Sequence, residues 1–129
     1  MSNSIIAGCG FHHVAMKVAN FDQVVAFYTE GLGFSVKKQW PGAIMLDAGD
    51  GVCLEIFPDG RFETVDNSYV HVAFKVDDVD AALARAAAYG AKITIPPKDV
   101  DIASDPVFPV RIAFCVGLSG ETIEFFHEK

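Results

Sequence analysis

Residues 11–18 alternate strictly. Val14, Met16 and Val18 fall on one side, and His13, Ala15 and Lys17 on the other. A period of two is the pattern of a half-buried strand. The period then lengthens. Val24, Val25, Phe27 and Tyr28 form an apolar stripe that predicts a helix over 21–31, capped by Asn20 or Asp22 and stopped by Gly31 and Gly33. Short strands are expected near 33–39, 43–48 and 51–58, separated by the turn pairs Pro41-Gly42 and Asp50-Gly51. After a polar link over 59–68 the same order returns. A strand over 69–77 puts Val70, Val72, Phe74 and Val76 on one face. An alanine-rich helix over 79–89 starts at Asp77 or Asp78 and ends at Gly90. Strands are expected at 91–96, 109–116 and 120–127. The stretch 97–109, rich in Pro and Asp, reads as a long connection, either a binding loop or an irregular link.

The two halves also resemble each other residue by residue. His13, Val14, Ala15, Lys17 and Val18 match His71, Val72, Ala73, Lys75 and Val76, and Asp22 and Ala26 match Asp80 and Ala84. Near the end of each half, Leu54-Glu55-Ile56-Phe57 answers Ile123-Glu124-Phe125-Phe126. One unit is used twice. The expected fold is therefore α+β, with two βαβββ modules over about 11–58 and 69–127. Halves of this size are marginal alone, so a single domain over 1–129 is expected.

Strand parity then selects candidate chemistry. Leu54 and Ile56 face a helix and leave Glu55 and Phe57 opposite; Val72 and Phe74 leave Tyr69, His71, Ala73 and Lys75. Ile123 and Phe125 leave Glu124 and Phe126. On the last-but-one strand, Ile112, Phe114 and Val116 are assigned to the helix side, which puts Arg111, Ala113 and Cys115 with the candidate site. Each half thus sends one His and one Glu to the face away from its helix. A strand His or Glu taken singly is usually structural or solvated. Recurrence of both at equivalent places is what points to ligation. Two carboxylates in one cavity repel and lose hydration, and a divalent cation resolves both problems. Imidazole nitrogen with carboxylate oxygen suits Zn, Ni, Co, Mn or Fe. The expected metal set is His13, Glu55, His71 and Glu124. His12, which has no repeat partner and points to the opposite face from His13, and His127, which points away from Glu124's side at the chain end, are not expected to ligate.

Composition narrows the ligand. A formal net charge of −7 with scattered basic residues argues against nucleic acid. No apolar run approaches the roughly 20 residues needed to span a bilayer, and residues 1–10 lack the basic and apolar regions of a signal peptide. Three cysteines, without close metal spacing, fit free thiols in a reducing cytoplasm. The expected partner is a small molecule.

The segment His13 to Val18, followed by Phe27-Tyr28 and Gly31-Leu32-Gly33-Phe34, resembles the opening motif of the glyoxalase and bleomycin-resistance (vicinal oxygen chelate) superfamily. His71 to Asp78 resembles the start of its second module. The resemblance covers about 11–127. It implies a cupped mixed sheet with helices outside. The His, Glu, His, Glu order is similar to the metal set of glyoxalase I, lactoylglutathione lyase. That implies a lyase or isomerase in which a divalent metal stabilises an enediolate and Glu124 carries the proton, with Glu55 on the other face or as a ligand. It also implies a homodimer and a carbonyl or hemithioacetal substrate, a glutathione adduct being one candidate. Lys17, Phe57, Tyr69, Arg111 and Phe126 are the expected substrate-binding residues, with Lys17, Lys75 and Arg111 the cations available to a substrate carboxylate. Lys17 stands where glyoxalase I commonly carries Arg, and Gly117-Leu118-Ser119-Gly120 replaces the usual Asp-Pro-x-Gly. The same superfamily includes epimerases, dioxygenases, thiol-transferring resistance enzymes and non-catalytic drug- or metabolite-binding proteins.

Overall fold

The computed structural model describes residues 4–5, 11–60, 71–104 and 106–129. Its elements run β1 (His13–Lys17), α1 (Phe21–Ala26), a π-helical segment (Phe27–Gly31), β2 (Ser35–Trp40), β3 (Ala43–Asp47), β4 (Cys53–Phe57), β5 (Val72–Lys75), α2 (Val79–Ala88), β6 (Lys92–Ile102), β7 (Phe108–Val116) and β8 (Thr122–Glu128). They form two four-stranded mixed sheets, ordered β1-β4-β3-β2 and β5-β8-β7-β6. In each, the first strand lies parallel to the last and the rest are antiparallel. A helix between the first two strands supplies the long crossover that lets the parallel pair form. This is the duplicated α+β fold that the repeat predicts.

Apolar side chains from both halves join one core. Val24, Phe27 and Tyr28 of the first helical stretch meet Val79, Leu83 and Ala86 of α2. Leu46, Leu54 and Ile56 of one sheet join Ala113, Ile123 and Phe125 of the other. Phe74 bridges the halves, with its ring 5.3 Å from that of Phe34. Polar contacts fix the same junction. The Tyr28 hydroxyl donates to Glu121 (2.8 Å), and Arg85 Nε donates to the Gly31 carbonyl (2.8 Å). At Gly31 an added Cβ would fall 2.9 Å from the Tyr89 ring, so the approach of α2 to the first helical stretch requires glycine there.

The structure departs from the sequence pattern at three places. The helix expected over 21–31 is α-helical only to Ala26 and then widens to a π-turn. Asn20 does not cap it; its amide donates instead to the Leu118 carbonyl across the junction. In the second half Asp78 does cap α2, accepting from Ala81 N at 3.0 Å. The third departure is β6. It runs on through much of the stretch read as a loop and ends at Ile102. Pro96 and Pro97 sit in a register shift between Ile95 and Lys98. They are tolerated because, among the described residues, β6 is an edge strand hydrogen-bonded only to β7.

Arg111 on β7 binds Asp80 through Nε (2.8 Å) and Asp99 through Nη1 (3.1 Å). These hydrogen bonds hold both carboxyls below their usual pKa. A carboxyl lowered in the folded state adds stability above its unfolded pKa of about 3.9 and loses it as pH falls through the folded value. Arg111→Ala is therefore expected to lower the urea midpoint at neutral pH. The difference from wild type should close as pH drops below about 4. A gap that persists at low pH would mean that Arg111 acts through packing.

Candidate metal centre

β1 and β4 position the first pair. Their parallel register sets Ala15 beside Glu55 and Lys17 beside Phe57. Val14, Met16, Leu54 and Ile56 pack on the core, so alternation turns His13 and Glu55 to the opposite, open face. There His13 Nε2 lies 3.6 Å from Glu55 Oε1. β5 and β8 repeat the arrangement. Ala73 lies beside Glu124 and Lys75 beside Phe126, and His71 Nε2 is 3.1 Å from Glu124 Oε1. The second pair is the less accessible, with Glu124 only 8% exposed. Burial raises its pKa, and the neighbouring His71 pulls it partly back.

The donor chemistry of each pair fits a divalent ion. Metal–nitrogen and metal–oxygen bonds of about 2.0–2.2 Å set adjacent ligand atoms roughly 3 Å apart. The two N···O separations are near that spacing. Within one chain, however, the pairs stay apart. Among the described residues no group of three or more His, Cys, Asp or Glu is close enough to hold an ion. Both pairs face away from the shared core.

The other expected site residues divide. Phe57 and Phe126 lie in register with the two lysines on the open faces. Tyr69 lies outside the described residues. Arg111 is corrected: its pairing with Asp80 on α2 places it on the helix side of β7. Ala113 and Cys115 share that side and belong to the core; burial pushes the Cys115 thiol up to about 11. The difference comes from size: both faces of β7 are largely apolar, and bulk alone points Ile112, Phe114 and Val116 toward the helix. The structure instead places small residues in the common core and sends the larger ones to the open face. Phe114 was missed as a result. Its ring packs edge-on against His71 at 5.3 Å and it pairs with Glu124. Met45, the cross-strand partner of Glu55, was missed likewise. The pairing of β7 with β8 carries the signal, since Phe114 lies opposite Glu124, whose own strand parity puts it on the open face.

His12 precedes β1, and its Nδ1 comes within 2.8 Å of that of His13. His127 turns away, with Nδ1 3.1 Å from the Val76 carbonyl. A cavity of about 980 Å³ runs along β5 between the halves and is lined by His71, Phe74, Leu54 and Phe125 among others. No helix among the described residues is long and apolar enough to cross a membrane.

Two βαβββ modules, each with a His–Glu pair on the open face of its sheet, define a class of duplicated α+β folds. Residues 10–105 match the family model of the Glyoxalase/Bleomycin resistance protein/Dioxygenase superfamily, and the chain belongs to that superfamily. A relative, the uncharacterized protein YaeR of Escherichia coli (strain K12), is 27% identical over 91% of this chain and 95% of its own. Solved structures agree in fold. A glyoxalase/bleomycin resistance protein/dioxygenase family enzyme from Burkholderia phytofirmans PsJN superposes with a TM-score of 0.73 at 17% identity, over 92% of this chain and 98% of that one. The trypanothione-dependent glyoxalase I of Leishmania major gives 0.68 at 24% identity, over 93% and 87%.

Proposed function

We propose that this chain is a metal-dependent lyase or isomerase of the glyoxalase I type, acting on a small carbonyl or hemithioacetal substrate. The observation that supports it is the recurrence of a facing His–Glu pair, His13–Glu55 and His71–Glu124, at equivalent places in both modules. Since the pairs stay apart in one chain, the four ligands come together between two copies. The working form is then a homodimer, with the first pair of one subunit against the second pair of the other. Family kinship and the similarity to a solved glyoxalase I add to this reading.

A divalent ion such as Ni, Zn, Co, Mn or Fe would draw charge from two neighbouring substrate oxygens and so acidify the adjacent C–H. The protein's own groups do the rest. Glu124, the more buried carboxylate, takes the proton from one carbon and returns it to its neighbour. The change is an internal isomerisation, in which one proton moves from carbon to the neighbouring carbon and one from oxygen to the neighbouring oxygen, so no outside oxidant is required. His71, braced edge-on by Phe114, and His13 hold position, while Glu55 remains a ligand. Phe57 and Phe126 shield the reacting carbons from water.

Glu124→Gln is expected to keep the fold and the circular dichroism spectrum. Turnover of the methylglyoxal–glutathione hemithioacetal should fall by about a hundredfold or more, the usual contribution of a positioned acid–base group. Unchanged turnover in the metal-loaded variant would remove Glu124 as the proton carrier.

A further inference from the structure

The duplication copies more than the His–Glu pair. On β1 the open face reads His13, Ala15, Lys17, with Phe57 beside the lysine. In the second module it runs from His71, just before β5, through Ala73 and Lys75 of β5, with Phe126 beside the lysine. In each module an alkylammonium and a phenyl ring thus sit two strand residues beyond the glutamate and four beyond the histidine. Two residues of strand span about 7 Å.

Three cations elsewhere are committed. Arg111 binds Asp80 and Asp99, Lys129 binds Asp99, and Arg85 binds backbone carbonyls and covers the Tyr89 ring. Lys17 and Lys75 are exposed and have no ion pair or side-chain hydrogen bond among the described residues. Cross-strand register adds Lys38, beside Met45, and Lys98, beside Ile112, to the same open faces. Each open face also carries a second carboxylate, Asp47 in line with Glu55 and Glu128 in line with Glu124, so two lysines balance two carboxylates on each. What is offered to an anion is the exposed ammonium itself. The wall beside Lys75 is the more aromatic of the two, since the Phe126 ring lies 6.0 Å from Phe108 and Phe114 stands against His71.

We propose that Lys75 is a second specificity-determining residue beside Lys17, binding an anionic group that a short apolar arm joins to the reacting end of the substrate. This rests on the metal-dependent reading above. The arm lies along Phe126, and the anion meets the Lys75 ammonium about 7 Å along the strand from the level of Glu124.

The test uses the metal-loaded full-length protein and two probes. Adipic acid monohydroxamate offers two chelating oxygens, an apolar arm and a carboxylate; its methyl ester lacks only the charge. Affinities are read by titration calorimetry, and metal content is measured in the same samples. Wild type is expected to bind the acid about tenfold more tightly than the ester, the scale of a charge-assisted hydrogen bond. In Lys75→Gln the acid-to-ester ratio should fall toward one, and Lys75→Arg should retain most of it. A metal-loaded wild type with a ratio near one, or a Lys75→Gln variant that keeps the full ratio, overturns the assignment of Lys75 and leaves the metal reading intact. A wild type that takes up no metal and binds neither probe overturns the metal reading and this inference together.

Discussion

Protein purified without a histidine tag or chelator is expected to carry about one divalent ion per chain, and His13→Ala and His71→Ala are each expected to lose most of it. The magnitude follows from ligand count. Residues that only support a metal ligand cost 10–100-fold in affinity when replaced, so removing one of four ligands should cost about a hundredfold or more. Both variants should lose metal because the two pairs occupy equivalent places in their modules, on β1–β4 and β5–β8. Neither change should disturb the fold, since both histidines stand on the open faces away from the core cluster. Elemental mass spectrometry on the three proteins decides the matter. Full metal retention in His13→Ala, with loss in His71→Ala, would confine binding to the tighter second pair and end the four-ligand reading. A wild type that stays empty after addition of Ni, Co, Zn and Mn would move the chain toward the non-catalytic, ligand-binding members of its superfamily.

Mixing the two metal-deficient variants is expected to restore metal and activity. If each site joins the first pair of one subunit to the second pair of the other, a mixed dimer has one site with both histidines missing and one with both intact. Random exchange of His13→Ala and His71→Ala subunits makes about half the dimers mixed. The mixture should therefore recover about a quarter of the wild-type metal and turnover from two nearly inactive parents. The expectation rests on the separation of the pairs within one chain, where no group of three or more ligating side chains forms among the described residues. Recovery requires subunit exchange, so the proteins are mixed in mild urea, refolded by dialysis and compared with each parent treated alike. Failure of a verified mixed dimer to take up metal would place each site within one subunit and sink the shared-site arrangement.

Much of the fold and half of the site geometry could be read from pattern alone. On β1, β4, β5 and β8 one face is strongly apolar and the other carries His, Glu or Lys. A one-residue slip would bury charge there, and the cost of that fixes the parity. Hence His13, Glu55, His71 and Glu124 are assigned to the open faces by sequence and stand there in the structure. β7 lacks that contrast. With Ile112 and Phe114 on one face and Ala113 and Cys115 on the other, hydrophobicity does not choose a side. Packing against the core and the pairing of Arg111 with Asp80 do. The extent of β6 was hidden for a related reason. Proline argues against a strand in the middle of a sheet, and only the tertiary arrangement puts this strand at an edge.

The sequence by itself determined the duplication, the order of elements, the faces of four strands and the chemistry of the residues placed there, because these follow from local periodicity and from copying one unit. The tertiary structure decided the rest. It packed the helices and inner sheet faces of both modules into one core, so that each His–Glu pair is made within its own module and the two pairs remain apart. It also took Arg111 away from the site and put Phe114 in its place. These outcomes depend on contacts between residues far apart in the chain, where side-chain volume and charge pairing across the junction outweigh any preference that a strand or helix carries alone.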